Sequence, residues 1–241
     1  MTYCVGLLLK EGIVLLSDTR TNAGLDNIST YRKMFLFEQP DERVIAILTA
    51  GSLSVSQTVI ARLREATDDN DPETRSIMRA NTMLEVAEIV GNTLLEVTTE
   101  IAAKMGRMSQ QMATSTMIVA GQRRGGIMRM FLIYPEGNFI EATVDTPFLQ
   151  IGEHKYGKPI LDRIVRPETP ISEARKAVLL SMDSTLRSNL SVGMPLDLCV
   201  IRADECKVSE RTRIEANDPT FQKMSRAWSE ALRNAFHDID I

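Results

Sequence analysis

Nearly continuous apolar runs fill the first 51 residues. TYCVGLLLK (2–10) and IVLLSD (13–18) flank a polar turn at 10–12, and YRKMFLFE (31–38) and RVIAILTAG (43–51) follow. Runs of this length without regular alternation predict strands whose two faces are both covered. The N-terminal segment is therefore predicted to form paired strands inside a layered core.

The apolar period then becomes helical. Residues 53–66 place apolar side chains on one side, the polar stretch 68–75 predicts a loop, and apolar residues recur every three or four positions from about Asn81 to Met105. Strands are predicted again over 114–122, 127–135, 138–144 and 147–152, with a hairpin turn at 135–138.

A second helical region follows these strands. Thr169 is predicted to cap a helix that has Pro170 in its first position and a buried face extending to Leu190. Strands over 196–201 and 207–214 complete the pattern. This order predicts sheets covered by helices on their outer faces, in one domain.

Residues 215–241 are predicted to be a C-terminal helical extension of a domain that spans 1–214. Phe221, Trp228 and Leu232 align on one side of its helical pattern. Because the preceding elements already complete the core, we expect this side to dock on a neighbouring subunit. Covering the surface of its own domain is the alternative.

The composition limits the classes of partner and the cellular setting that the sequence predicts. The 241 residues carry 28 Lys and Arg and 32 Asp and Glu, a net charge of -4, so nothing electrostatic favours a nucleic-acid or membrane partner. No apolar run approaches the roughly 20 residues of a membrane span, and we expect no signal peptide. Cys4, Cys199 and Cys206 lack metal-ligand spacing and lie in apolar segments, which favours a reducing, cytoplasmic setting.

Thr2 directly precedes the first strand, and its position suggests a chemistry. Methionine before a small residue is commonly removed, which would leave the Thr2 hydroxyl beside a free α-amine. An α-amine with a pKa of about 7.7 to 8.0 can accept the hydroxyl proton near neutral pH. A threonine with its own amine as base is a known activated nucleophile. Catalysis of this kind requires that Met1 be removed.

Such a site also needs a cation beside the amine, a carboxylate to hold the cation, and backbone donors for an oxyanion. Asp18 ends the second predicted strand, Lys33 lies in the third, and Gly51 follows the fourth in LTAGS. A hairpin would bring Asp18 back to the start of the first strand. These three residues are the candidates for the site.

Five features carry a family resemblance. They are Thr2 opening a strand, SDTRTNAG (17–24), Lys33 in YRKMFLF, LTAGS, and RSNLSVGMPLDLCVI (187–201). The chain resembles the proteasome β-subunit type of N-terminal-nucleophile hydrolases, which includes the bacterial HslV peptidases. DTRTNAG, NISTYRKMF and GEHKYGKPILDR look most like the Anbu, or ancestral β-subunit, branch.

The resemblance implies an α+β fold, a four-layer αββα sandwich, which agrees with the element order. It implies that Thr2 is the nucleophile and base, that Asp18 and Lys33 form a supporting ion pair, and that the Gly51 N–H is an oxyanion donor. Asn22 and its neighbours would bind an extended peptide by adding it as a strand, and Arg20 would support the site.

The resemblance further implies a bacterial homo-oligomeric ring or spiral that cleaves peptide bonds in short peptides or unfolded chains. It implies no metal and no organic cofactor, and the sequence identifies no ATPase partner.

The chain departs from the family pattern at two of three supporting positions. Glu153 stands in QIGEHKYG where a serine is usual, Ser188 replaces a buried aspartate, and Ser191 matches a second serine. Two alternatives therefore stay open. One is a small-peptide or small-molecule amidohydrolase with the same site, and the other is an assembly or binding protein with a weak or silent site.

Overall fold

The structure is a computed structural model that describes residues 1–22, 28–105 and 114–240. In chain order the first half contains β1 (Tyr3–Leu9), β2 (Gly12–Asp18), β3 (Arg20–Asn22), β4 (Ile28–Thr30), β5 (Met34–Gln39), β6 (Arg43–Gly51), α1 (Leu53–Asp68) and α2 (Met83–Met105). The second half contains β7 (Ser115–Arg123), β8 (Arg129–Ile133), β9 (Phe139–Glu141), β10 (Phe148–Gly152), α3 (Lys158–Ile164), α4 (Ile171–Ser188), β11 (Leu196–Arg202), β12 (Glu210–Ile214) and α5 (Pro219–His237).

Two five-stranded antiparallel sheets form the centre. One has the order β10-β1-β2-β11-β12 and the other β5-β6-β7-β8-β9, while β3 and β4 pair separately as a hairpin. One apolar core lies between the two sheets, a second lies under α1 and α2, and a third lies under α3 and α4. The four-layer αββα arrangement is confirmed.

Strand β1 shows why its sequence is apolar at successive positions. Tyr3, Val5 and Leu7 pack toward the core under α3 and α4, and Cys4 packs into the core between the sheets. Successive side chains of a strand point to opposite faces. A strand with a core on each side therefore needs apolar side chains on both faces, as predicted.

The predicted start of α4 is wrong. The helix begins at Ile171, and the Thr169 hydroxyl oxygen accepts a hydrogen bond from the Arg166 N–H at 2.9 Å instead of capping the helix. The Ile171 N–H donates to the Glu11 carboxylate at 3.1 Å, so a residue in the β1–β2 turn caps the helix. The helix also ends before Leu190, whose side chain is exposed rather than buried.

Helix α5 follows the sandwich and packs on α4 through its first turns. The Asp218 carboxylate caps it by accepting from the Phe221 N–H at 2.7 Å, and Phe221 contacts the core under α4. Further along, Leu232 and Phe236 are exposed. The assignment of 215–241 as an inter-subunit extension stays a prediction. None of the described helices combines the length and the hydrophobicity of a membrane-spanning segment.

Candidate active site

The β1–β2 hairpin places Asp18 beside the start of the chain. The register pairs Cys4 with Ser17, so Asp18 lies level with Tyr3. The Tyr3 N–H donates to one Asp18 carboxylate oxygen at 3.1 Å. The tight turn that sets this register contains Gly12, where an added Cβ would lie 2.3 Å from the Ile201 carbonyl oxygen.

Lys33 lies just before β5 and turns its ammonium toward Asp18. The Lys33 Nζ donates to Asp18 Oδ1 at 2.7 Å and to the Arg20 carbonyl oxygen at 2.6 Å. Both side chains are almost completely buried. Burial raises the pKa of the Asp18 carboxyl, and the Lys33 ammonium with the N–H groups of Tyr3 and Gly193 opposes that rise. The pair is therefore a buried ion pair, not a surface salt bridge.

A cavity of about 120 Å³ opens beside this pair. Its lining residues are Met1, Thr2, Thr21, Lys33, Thr49, Ala50, Gly51, Leu53 and Ser56. The fold thus brings Thr2, Lys33 and Gly51 to one cavity, with Asp18 directly behind Lys33. The start of α1 also faces it, and the N-terminus of a helix favours negative charge.

The backbone at the end of β6 requires a glycine at position 51. Its φ of +110° is one that other residues rarely adopt, and a Cβ there would lie 2.5 Å from the Thr114 carbonyl oxygen. Gly51 is exposed at the end of β6. The end of this strand therefore presents backbone rather than side chain to the cavity.

The N-terminus lies within reach of several charges. Met1 is exposed, whereas Thr2 is 8% exposed. Burial and the nearby Lys33 ammonium lower the pKa of the Met1 amine below its usual 8.0, while the carboxylates of Asp18 and Glu153 raise it. An amine at this end of the chain is thus biased toward its neutral, proton-accepting form.

The loop that follows α4 supports Asp18 from the other side. The Gly193 N–H donates to Asp18 Oδ2 at 3.3 Å. Arg20 packs against Gly193 and donates to the Leu190 carbonyl oxygen at 3.0 Å. Arg20 therefore holds this loop, and its own carbonyl oxygen binds Lys33.

The departures from the family pattern fall in different environments. Ser188 is exposed as the last residue of α4, so it does not occupy a buried carboxylate's place. The Ser191 N–H donates to the Asn189 side-chain oxygen at 2.9 Å. Glu153 is buried, and its carboxylate accepts from Asn189 Nδ2 at 3.0 Å. Asn22 ends β3, and its side chain lies outside the described part of the structure.

Comparison with known proteins identifies the family. Neither a scan against protein-family models nor a search of curated proteins finds a match. A solved Anbu (ancestral beta-subunit) protein from Yersinia bercovieri is 41% identical, with a TM-score of 0.91 over 99% of this chain and 98% of that one. An Anbu (Gly-1) mutant from Hyphomicrobium sp. strain MC1 is 46% identical, with a TM-score of 0.92 over 100% and 99%. The chain belongs to the Anbu family.

A third solved structure concerns assembly. It is a helical assembly of the Anbu complex from Pseudomonas aeruginosa, whose chain is 42% identical, with a TM-score of 0.92 over 99% of this chain and 97% of that one. Anbu membership confirms the resemblance that Thr2, Lys33 and the LTAGS motif indicated.

Sequence reasoning missed two residues of this Anbu site. Asn189 joins Glu153 to the loop after α4, and Gly193 donates its N–H to Asp18. Both lie in the quoted RSNLSVG motif, where an Asn and a Gly two residues either side of Ser191 signal a tight turn. That signal predicts the turn but not its contacts, which depend on residues more than 30 positions away.

The other reactive side chains in the described ranges do not form a second candidate centre. Burial raises the pKa of the Cys4 thiol, and it raises that of Cys199 to about 12, which disfavours the reactive thiolate form of both. His154 is exposed and contacts the Gly152 carbonyl oxygen at 3.3 Å. Among the described residues, no group of three or more His, Cys, Asp or Glu side chains could hold a metal ion.

Proposed function

We propose that this chain is a self-assembling threonine-type hydrolase that cleaves peptide bonds through an acyl-enzyme on Thr2 after Met1 is removed. The observation that carries the proposal is the cavity in which Thr2, Gly51 and the Asp18-bound Lys33 ammonium meet. Membership of the Anbu family supports it. The proposal needs neither a metal nor an organic cofactor.

In the first step the Thr2 hydroxyl oxygen attacks the carbonyl carbon of the scissile bond, and the Thr2 amine accepts the hydroxyl proton. Lys33 keeps the amine neutral beforehand because its positive charge disfavours a second ammonium nearby. The Gly51 N–H donates to the oxyanion, assisted by the start of α1. The tetrahedral intermediate collapses when the leaving amine takes the proton from the Thr2 ammonium.

In the second step a water molecule hydrolyses the ester on Thr2. The Thr2 amine, neutral again, accepts a proton from the water as it attacks the acyl carbon. Collapse returns that proton to the Thr2 oxygen and releases the carboxylic acid. Thr2 thus acts as both nucleophile and base, and Asp18 acts only through Lys33.

Strand β3 supports the binding of an extended peptide. It carries Thr21, which lines the cavity, and its only partner strand among the described residues is β4. The other edge of β3 can pair with substrate backbone, which recognises a peptide largely independently of its side chains. Asn22, in the same strand, belongs to this proposed binding edge.

We also propose that the protein assembles with copies of itself through α5. The helical assembly formed by the Pseudomonas aeruginosa relative supports self-assembly. Leu232 and Phe236 are exposed one turn apart and form an apolar stripe on the last turns of α5, and the exposed Ile239 follows just after the helix ends. A second copy of the chain is the occupant that would cover this stripe.

Removing the stripe should weaken assembly. We expect Leu232→Ser combined with Phe236→Ser to lower the mass measured by light scattering at micromolar concentration, because about 1.5 to 3 kcal/mol is lost per exposed apolar side chain that an interface buries. The matched control, Arg233→Ser with Asn234→Ser, alters exposed polar positions of the same turns and should assemble normally. Equal masses for both variants would remove α5 from the interface.

The same site also fits a hydrolase of small amides, because a cavity of about 120 Å³ accommodates a small side chain or ligand group. A catalytically silent assembly protein is the remaining alternative, which the exposed position of Ser188 favours.

Intact-mass analysis with a peptide epoxyketone separates these functions. The Thr2 hydroxyl adds to the ketone and the Thr2 amine opens the epoxide, so the adduct has the summed mass of protein and reagent. We expect the mature chain to lack one methionine and to gain a single adduct, and a peptide library to be cleaved. A mature chain that never forms the adduct would favour the silent protein, and an adduct without peptide cleavage would favour the small-amide hydrolase.

A further inference from the structure

The turn after β10 encloses the backbone of Thr2. Gly152 has a φ of +80°, and a Cβ there would lie 1.9 Å from the Thr2 carbonyl oxygen. The next residue, Glu153, donates its N–H to the same oxygen at 2.7 Å. The position of Glu153 relative to Thr2 is therefore fixed by backbone contacts, whatever its side chain does.

The Glu153 carboxylate is unusual for its burial. It is 8% exposed, and one oxygen accepts from Asn189 Nδ2 at 3.0 Å. The other lies 3.9 Å from the ammonium of Lys155, which is itself exposed to solvent. Within the described part of the chain, this carboxylate has one neutral donor and one distant cation, so its charge is only partly compensated there. A further positive group near the Glu153 carboxylate would compensate its charge.

Asn189 holds this carboxylate in place. It is 9% exposed at the end of α4, and its side-chain oxygen accepts from the Ser191 N–H at 2.9 Å while its side-chain nitrogen donates to Glu153. Both ends of the amide are thus engaged. The Glu153 side chain is joined through Asn189 to the loop whose Gly193 supports Asp18.

We propose that Glu153, fixed by Asn189, is a positioning residue that places a negative charge beside the Thr2 amine and opposes the Lys33 ammonium on the other side. This inference rests on the proposed function, in which that amine is the base. Among the described residues, the other carboxylate that acts on the terminal amine is Asp18, which lies behind Lys33. His154 and Lys155 are the charged or titratable neighbours of Glu153 in its own turn.

An amine that acts as a base is tuned better between a cation and an anion than beside a cation alone. In the structure the terminal amine is that of Met1: burial and the Lys33 ammonium lower its pKa, and the carboxylates of Asp18 and Glu153 raise it. Once Met1 is removed, the Thr2 amine lies between the same charges. A base whose pKa falls far below the working pH is neutral but accepts protons weakly. Glu153 therefore keeps the amine basic enough to deprotonate the hydroxyl, whereas Lys33 keeps it neutral enough to be available.

The test measures the amine directly. Full-length chains that begin at Thr2 are treated with trace acetic anhydride across a pH series, and acetylation of the N-terminal peptide is quantified by mass spectrometry. We expect Glu153→Gln to lower the pKa of the amine by about 0.5 to 1 unit. At a fixed pH well below that pKa, the amine would then react about 3- to 10-fold faster. Glu153→Asp, which keeps the charge, should titrate near the wild type.

Glu168→Gln is the matched control, because Glu168 is an exposed carboxylate that pairs with Lys10, just beyond the opposite end of β1 from Thr2. Asn189→Ala should lower the pKa of the amine by part of the amount that Glu153→Gln does. Because Asn189 acts through Glu153, the double variant should have the same pKa as Glu153→Gln alone. Identical titrations of all variants, with normal thermal unfolding, would overturn the inference. Acetylation needs no turnover, so a shifted pKa without peptide cleavage would refute the proposed function and leave this inference standing.

Discussion

Replacing Thr2 by alanine should abolish the epoxyketone adduct and lower kcat/KM for peptide cleavage by at least about 10³-fold, because the variant retains the amine and the cavity but has no nucleophile. The measurement is the rate of cleavage of a fluorogenic peptide, with the intact mass after epoxyketone treatment as a second readout. Folding should be unaffected, since no hydrogen bond of the Thr2 hydroxyl contributes to the described network.

Two controls separate the hydroxyl from the amine. Thr2→Ser retains both groups and should still form the adduct. A chain with one glycine before Thr2 retains the hydroxyl but moves the free amine away, so it should form neither the adduct nor an active enzyme. Full cleavage by either Thr2→Ala or the glycine-extended chain would contradict a mechanism in which Thr2 is both nucleophile and base.

The central part of the site could be predicted from sequence because its geometry is local. Asp18 and Tyr3 belong to one tight hairpin, so their adjacency follows from strand pairing alone. Lys33 and Gly51 flank a second hairpin, in which the Thr49 N–H donates to the Lys33 carbonyl oxygen at 2.9 Å. The layered fold could also be predicted from the sequence, because strands that are apolar on both faces must be covered on both faces.

The features that sequence reasoning missed depend on contacts between distant segments. Glu11, rather than Thr169, caps α4. Glu11 and the Ile171 N–H that it accepts from are 160 positions apart, and capping preferences consider only residues next to the helix, so they could not predict this contact. The short hairpin of β3 and β4 has too few residues for a periodic pattern. Glu153 could be recognised as a departure from the family pattern, but its contact with Asn189 depends on how α4 ends.

Breaking the Asp18–Lys33 pair should have the largest effect on stability. We expect Lys33→Met to lower the free energy of unfolding by about 3 to 5 kcal/mol near pH 7.5, because it leaves the buried Asp18 carboxylate without its counter-charge. The measurement is urea unfolding. The matched control is Lys158→Met. It breaks an exposed salt bridge of similar distance, 2.6 Å between Lys158 Nζ and the Asp162 carboxylate, and should change the free energy of unfolding by less than about 1 kcal/mol.

The decrease in the free energy of unfolding caused by Lys33→Met should also depend on pH, and the direction of that dependence can be derived. Burial already raises the pKa of Asp18, and without Lys33 the folded-state pKa rises further above that of the unfolded chain. The folded state then binds more protons than the unfolded state between these two values, so stability falls as pH rises and recovers toward acid. Unfolding free energies that are equal near pH 5 and pH 7.5 would contradict an unpaired buried carboxylate.

The double variant Asp18→Asn with Lys33→Met separates the structural role of the pair from its catalytic role. It carries no buried charge at either position, and the introduced amide oxygen can still accept from the Tyr3 N–H, so most of the lost stability should return. Activity should not return, because the Lys33 ammonium no longer faces the Thr2 amine. A double variant that is stable and cleaves peptides at the wild-type rate would show that Lys33 serves only the fold. A variant that is stable, inactive and has a raised amine pKa would show that the cation is needed for the base.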